Sequence, residues 1–124
     1  MRVLWMSRHD PLPSQIAALK RLYGEDTEVV KDPRPFASAE EIADRYRAGG
    51  YDDLVVVAPL SVLGKLCELG LKPLWAEMEA VSPEEAEVEA AGRYYRFVRF
   101  RRVKRLVLEF EEVQPQHGGG PREG

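Results

Sequence analysis

An uninterrupted aliphatic run, Leu54-Val55-Val56-Val57, constrains the fold of this chain more than any other feature of its sequence. A strand that faces solvent on one side alternates apolar and polar residues, whereas this run has no polar position. It therefore predicts a strand over residues 53–58 that is buried on both faces, as in the centre of a parallel sheet. Such a strand needs helices on both sides of the sheet.

Helical segments do alternate with further strands along the first part of the chain. The pattern predicts strands over residues 2–6, 27–31, 53–58 and 72–76, and helices over residues 14–23, 38–48 and 61–69. The predicted helix N-caps are Ser14, Ser38 and Ser61, and Glu41 completes a capping box with Ser38. We therefore expect an α/β fold, with a small three-layer Rossmann-like (flavodoxin-like) sheet, mostly parallel, in the order of about 2-1-3-4.

The pattern changes after Glu79. Residues 85–90 and 93–98 flank Ala91-Gly92 and predict a β-hairpin in which Val88 lies opposite Tyr95. Residues 103–113 alternate apolar and polar positions and predict a further strand. We expect a single α/β domain over residues 1–113. It comprises a βαβαβαβ core (residues 1–78) and a C-terminal antiparallel β extension (residues 79–113), and a disordered tail follows over residues 114–124.

Composition limits the setting of the protein. The longest apolar run is far shorter than the ~20 residues that a membrane-spanning helix needs, and the apolar stretch at the N-terminus is too short for a signal peptide. Cys67 is the only cysteine, which favours a cytoplasmic location and no disulfide. The absence of asparagine and the excess of arginine over lysine suggest a thermophilic source.

The loop after the first strand is the best candidate for a ligand site, because open α/β sheets bind ligands beyond the carboxyl ends of their strands. Arg8 would be an anion clamp that binds a phosphate or carboxylate, and His9 could act as a proton carrier. Ser61, at the start of the helix after the third strand, and Glu77, after the fourth, are expected to face the same crevice. The predicted ligand-binding residues are thus Arg8, His9, Ser61 and Glu77.

Several chemistries are disfavoured by what the sequence lacks. It has no glycine-rich phosphate-binding motif, no cysteine pair and no nucleophile motif. We therefore expect no cofactor, no metal ion and no catalytic residue. Two minor alternatives use His9: a divalent-ion site with Asp10 and Glu77, and a small hydrolase-type enzyme in which His9 is the acid or base beside Asp10 or Glu77.

Charge is distributed unevenly around a formal net charge of −3. Residues 77–89 contain six glutamates and no basic residue, whereas residues 93–105 contain seven basic residues and no acidic one. Arginines interleaved with aromatic residues are typical of nucleic-acid binding. The alternative function is therefore a nucleic-acid-associated module that uses Arg96, Arg99, Arg101 and Arg102. The competing interpretation pairs these arginines with the glutamates, although the last three have no evident partner in the sequence.

Assembly is the third class of function. An antiparallel arm with exposed apolar positions can pair with another copy, so a homodimer through residues 85–112 is expected. The alternative is a monomer whose arm folds back onto the sheet. The favoured function is a small non-catalytic α/β domain that binds a small anionic ligand or a protein partner and self-associates.

Overall fold

The computed structural model describes residues 1–116, which form an α/β fold with one mixed sheet. The strands are β1 (Arg2–Met6), β2 (Glu28–Lys31), β3 (Asp53–Val56), β4 (Leu74–Ala80), β5 (Val88–Ala90) and β6 (Arg93–Arg102). The helices are α1 (Pro13–Tyr23), α2 (Ala39–Ala48) and α3 (Leu60–Glu68). Most of the expected disordered tail, including His117, lies outside the described residues.

The sheet has the order β2-β1-β3-β4-β6-β5. Strands β1 to β4 are parallel, while β6 runs antiparallel to both β4 and β5. The predicted order of the parallel strands and the predicted antiparallel extension are both confirmed.

The core lies on both faces of the parallel strands. On one face Leu4, Met6, Leu54 and Val56 pack against residues of α2 and α3, among them Ile42, Leu63 and Leu66. On the other face Val3, Trp5, Val55 and Leu74 pack against Leu19 of α1, with Phe100 of β6 partly buried beside them. All four residues of β3 are buried, as the aliphatic run predicts, but the strand ends two residues earlier than predicted and Val57, the last residue of the run, is 65% exposed.

Two of the three predicted helix caps are wrong. Ser38 is the N-cap of α2, and its side chain accepts a hydrogen bond from the Glu41 amide at 3.1 Å. The N-cap of α1 is Leu12 and that of α3 is Pro59, so Ser14 and Ser61 are the second residues of their helices. A proline at or just before the first helical turn supplies a suitable φ without needing a capping side chain, which explains the shift in both helices.

Strand β4 is longer than predicted; in the hairpin, the first strand is shorter than predicted and the second is longer. β4 continues through Glu77 and Glu79 because β6 places Arg99 and Arg96 opposite them. In the hairpin, Val88 lies opposite Tyr95 as predicted. Its turn residues, Ala91 and Gly92, have φ values of 54° and 75°, which is the geometry of a tight two-residue hairpin turn.

The predicted strand over residues 103–113 is not formed. The Val103 amide donates to the Pro73 carbonyl oxygen at 2.9 Å, and after that residue the chain leaves the sheet. The segment continues directly from β6 without a turn that would bring it back beside the sheet; β4 pairs with one side of β6, and β5 pairs with the other side only at residues 93–95. The segment therefore has strand-like alternation but no strand beside it.

No helix within residues 1–116 has the length and apolar character needed to cross a membrane.

Candidate functional site

A cleft of about 330 Å³ opens at the carboxyl ends of β1, β2 and β3. Its walls come from the loops that follow these strands, and it includes the switch point of the sheet, where the connections that leave the neighbouring strands β1 and β3 run in opposite directions, to β2 and to β4. Apolar and cyclic side chains make up much of the lining, namely those of Met6, Pro33, Pro35, Phe36 and Val57. The polar lining residues are Ser7, Arg8, His9, Asp32 and Arg34.

The loop after β1 is held in place by its own hydrogen bonds. The Trp5 indole nitrogen donates to the His9 carbonyl oxygen at 3.0 Å, and the His9 amide donates to Ser7 Oγ at 3.1 Å. Asp10 is ion-paired with Lys31 of β2. Arg8 is exposed, and within residues 1–116 its side chain makes no hydrogen bond or ion pair. Arg8 therefore carries an uncompensated positive charge on a fixed loop.

The loop after β2 is held equally firmly by arginines. Arg34 Nε and Nη2 donate to the two carboxylate oxygens of Asp32 at 2.9 and 2.7 Å. Arg45 of α2 donates to the carbonyl oxygens of Arg34 and Pro35 at 3.2 and 2.6 Å. The hydrogen bond from Arg34 outweighs partial burial and lowers the pKa of Asp32, so this carboxylate stays ionised and offsets the charge of Arg34.

The four predicted ligand-binding residues do not meet in one place. Arg8 and His9 line the cleft, but Ser61 and Glu77 are not among its lining residues. Ser61 is exposed on the first turn of α3. Glu77 lies within β4, where Arg99 and Arg101 contact it at 3.1 and 2.7 Å. Hydrogen bonding from Arg101 is the main cause of its lowered pKa.

The minor alternatives that use His9 find little support in this geometry. Asp10 is paired with Lys31 and Glu77 with two arginines, so neither carboxylate forms a hydrogen bond with the His9 ring in the described part of the chain. The same residues contain no group of three side chains arranged to hold a metal ion.

Sequence reasoning missed the contribution of the loop after β2. Asp32, Arg34 and Phe36 line the cleft, although residues 32–35 attract attention in the sequence only as a rigid proline-containing loop. The available signal was the strand order: once β2 is placed beside β1, the loops after both strands must meet at the same edge.

A second, larger cleft of about 510 Å³ lies near the amino end of β3. Two of its lining residues, the buried Asp53 and the partly exposed Arg102, form an ionic cluster with Tyr23. Arg102 donates to both carboxylate oxygens of Asp53 at 2.7 and 2.8 Å, and the Tyr23 hydroxyl also donates to Asp53. Because Asp53 and Arg102 neutralise each other, we assign this cluster a structural role. Arg47 and Lys72 line the larger cleft and, like Arg8 in the smaller one, form no ion pair among residues 1–116, so we favour the smaller cleft for its position at the carboxyl ends of the parallel strands.

The four arginines of the nucleic-acid alternative all have acidic partners. Arg96 contacts Glu79 at 2.6 Å and Glu85 at 3.8 Å, while Arg99 and Arg101 share Glu77. Arg102 pairs with Asp53. The expectation that the last three arginines lack partners is therefore wrong: the partners lie on β3 and β4, further back in the sequence than the acidic residues of the hairpin.

Comparisons with protein-family models, with curated proteins and with solved structures found no match to this chain.

Proposed function

We propose that the sheet is of the Rossmann-like class, in its flavodoxin-like strand order, and that the cleft beyond β1, β2 and β3 binds a small anionic molecule. Arg8 is the residue that binds the anion. The observation that carries this proposal is an exposed guanidinium that has no acidic partner among residues 1–116, on a loop fixed by hydrogen bonds, beside a concave apolar surface.

The lining of the cleft supports a more specific ligand class. Binding pockets combine a mostly apolar wall with a few well-placed polar groups that orient the ligand. Here Phe36, Val57 and the two prolines offer the apolar surface, and Arg8 offers a fork of donors suited to a carboxylate or phosphate. The proposed ligand is therefore an anion attached to a flat apolar body, with His9 as a further hydrogen-bonding partner.

Thermal unfolding in the presence of model compounds tests this proposal. A ligand that binds only the folded state raises the melting temperature. We expect phenyl phosphate or benzoate to raise it more than inorganic phosphate does, and benzyl alcohol to have little effect. The Arg8→Ala variant should lose the gain. Arg21→Ala is the matched control, because Arg21 is an exposed arginine on α1 outside the cleft.

Two results would overturn the proposal. One is an equal gain with the neutral compound and the aromatic anions, which would leave no role for the guanidinium. The other is an anion-dependent gain that survives in Arg8→Ala, which would place the binding site elsewhere.

The nucleic-acid alternative is less favoured because its basic strand is largely neutralised by its own neighbours. Phosphate binding by Arg96, Arg99 or Arg101 would have to displace Glu77 or Glu79 first. We expect no complex with a short mixed-sequence oligonucleotide at moderate salt. A complex whose affinity falls steeply with salt and is lost in Arg99→Ala would reverse this preference.

A further inference from the structure

The segment over residues 103–113 is the largest apolar feature that the fold leaves uncovered. Its sequence alternates like a strand, but no strand is assigned after Arg102 within the described residues. Leu108, Phe110 and Val113 are 82%, 91% and 85% exposed. An exposed run of this kind in a soluble protein usually marks an interaction surface.

The beginning of the segment lies against α3. Cys67 Sγ lies 3.7 Å from the Val103 carbonyl oxygen. A Cβ placed on Gly64 would lie 3.4 Å from Leu106 Cδ1, so Leu106 packs where α3 has no side chain. Leu60 lies one turn before Gly64 on the same helix and is 70% exposed. Leu60 on α3 and the apolar residues of the segment from Leu106 onward therefore form one exposed apolar strip.

The charges of the segment identify its partner. Lys104 and Arg105 stand at one end, Glu111 and Glu112 stand at the other, and Leu108 is the midpoint between these pairs. If the segment is laid antiparallel against an identical copy with Leu108 at the centre, each basic residue faces an acidic one. Opposite charges directly across an antiparallel pair stabilise it.

We propose that two copies of this chain associate through this segment, as a two-stranded antiparallel ribbon centred on Leu108. Lys104 then faces Glu112 of the partner subunit and Arg105 faces Glu111 of the partner subunit. On the apolar side Leu106 faces Phe110 of the partner subunit, and the two Leu108 side chains meet. The backbone groups that the sheet leaves without strand partners after Val103 gain them in the ribbon.

Neighbouring registers of the same ribbon are worse, which makes the proposed one specific. Centring the ribbon on Val107 keeps Arg105 opposite Glu109 but places Lys104 opposite Phe110, so it forms half as many pairs of opposite charge as the proposed register. Centring it on Glu109 brings the two Glu109 carboxylates together and sets Leu106 against Glu112. Like charges directly opposite one another destabilise a strand pair, and a charged group opposite an apolar one gains nothing. The proposed register has one such mismatch, Val107 opposite Glu109 of the partner subunit, but in it both basic residues face acidic ones.

The ribbon also needs a surface to lie on, because two isolated strands are only marginally stable in water. Helix α3 offers one. The residue opposite Leu106 is the partner's Phe110, which brings its ring close to the exposed side of α3 near Gly64 and Leu60. Each protomer thus covers apolar surface on the other. This proposal does not depend on what binds in the cleft.

Charge reversal tests the proposed register. One variant, Lys104→Glu/Arg105→Glu, makes both ends of the segment acidic, and a second, Glu111→Lys/Glu112→Lys, makes both ends basic. We expect the wild-type chain to be a dimer in sedimentation equilibrium and each variant alone to be a monomer. The two variants mixed in equal amounts should restore a dimer, since every pair across the ribbon is then opposite in charge. The restored dimer should weaken with added salt.

Cysteine cross-linking tests the position of the two-fold axis. In a Cys67→Ala background, Leu108→Cys should form a disulfide-linked dimer on mild oxidation, because its copy lies directly opposite at a separation that a disulfide can span. Leu106→Cys is the matched control, since its copy would lie about 13 Å away along the ribbon. A monomeric wild-type chain, a mixture no more dimeric than its parts, or equal cross-linking at the two positions would each overturn the proposal.

Discussion

Asp53 illustrates how strongly single residues are constrained in this fold. Its carboxylate is buried at the start of β3 and accepts hydrogen bonds from Arg102, Tyr23 and the Leu54 amide. Arg102 also donates to the Lys72 carbonyl oxygen at 2.7 Å. Through these contacts the last residue of β6 is tied to α1, β3 and the loop before β4.

Removing Arg102 should therefore cost much more stability than removing its neighbour Arg99. Arg102→Met leaves Asp53 buried without its counter-charge, for which we expect a loss on the order of 2–3 kcal/mol, below the value for a fully buried pair because Arg102 is partly exposed. Arg99→Met removes a more exposed ion pair on the same strand and should cost less than about 1 kcal/mol. Urea unfolding measures both losses, and equal losses would contradict the structural role of the cluster.

The acid stability of the protein should depend on the same carboxylate. Burial alone would raise the pKa of Asp53, but the hydrogen bonds from Arg102, Tyr23 and the Leu54 amide outweigh it and lower the pKa in the folded state. The unfolded chain then takes up the proton first, so the stabilisation from Asp53 is present above about pH 4 and is lost as the pH falls towards the folded pKa.

Asp53→Asn removes this titration and offers a direct check. The variant should be less stable than wild type at neutral pH, and its unfolding free energy should fall less steeply in acid. Some acid sensitivity should remain, because the pKa values of Asp32 and Glu77 are also lowered by arginine partners. Parallel stability profiles for the two proteins between neutral and acid pH would rule out this contribution.

At the scale of single elements, three serines near helix N-termini look alike in the sequence but differ in the structure. Ser38 caps α2 by accepting a hydrogen bond from the Glu41 amide. Ser61 is exposed on α3. The Ser14 hydroxyl is buried and has no hydrogen-bond partner among residues 1–116. Its helix is instead capped by Gln15, which accepts a hydrogen bond from the Leu12 amide at 2.8 Å.

Replacing each serine with alanine should give three different results. We expect Ser38→Ala to destabilise the protein by about 1 kcal/mol, as loss of a cap typically does. Ser61→Ala should be close to neutral. Ser14→Ala should be neutral or stabilising, because it removes a buried polar group that gains no compensating bond. Thermal unfolding of the three variants distinguishes these outcomes, and a destabilised Ser14→Ala would mean that its hydroxyl has a partner.

The elements could be predicted where local pattern decides them. The burial of Leu54–Val56 in β3, the Ser38 N-cap of α2 and the Ala91-Gly92 turn each have a local physical cause, and all three were predicted correctly. The capping box was only half correct, because the Glu41 side chain accepts from the Ala37 amide rather than from the Ser38 amide. The length of β4 could not be predicted in this way, because Glu77 and Glu79 belong to a strand only when arginines of β6 lie opposite them. The segment over residues 103–113 shows the same limit, since alternation indicates a strand but does not supply the strand that pairs with it.

At the scale of the whole molecule, topology determines where the candidate site lies. The order β2-β1-β3 brings three loops together at one edge, and the sequence predicted the contribution of Arg8 and His9 to that edge. The sequence could not show that Ser61 and Glu77 lie outside the cleft. The position of a residue just after a predicted strand does not reveal which way its side chain points or which ion pair it joins. Asp32 and Arg34 were missed because only their spatial position beside β1 makes them part of the cleft.

The most direct test of an anion site in this cleft is a titration with phenyl phosphate followed by ¹H–¹⁵N correlation spectra. The account predicts saturable shifts in the backbone amides of Ser7, Arg8, His9, Phe36 and Val57, and their loss in Arg8→Ala. Saturable shifts confined to the other cleft, around residues 46–54 and 70–72, or no saturable shift at all, would contradict it.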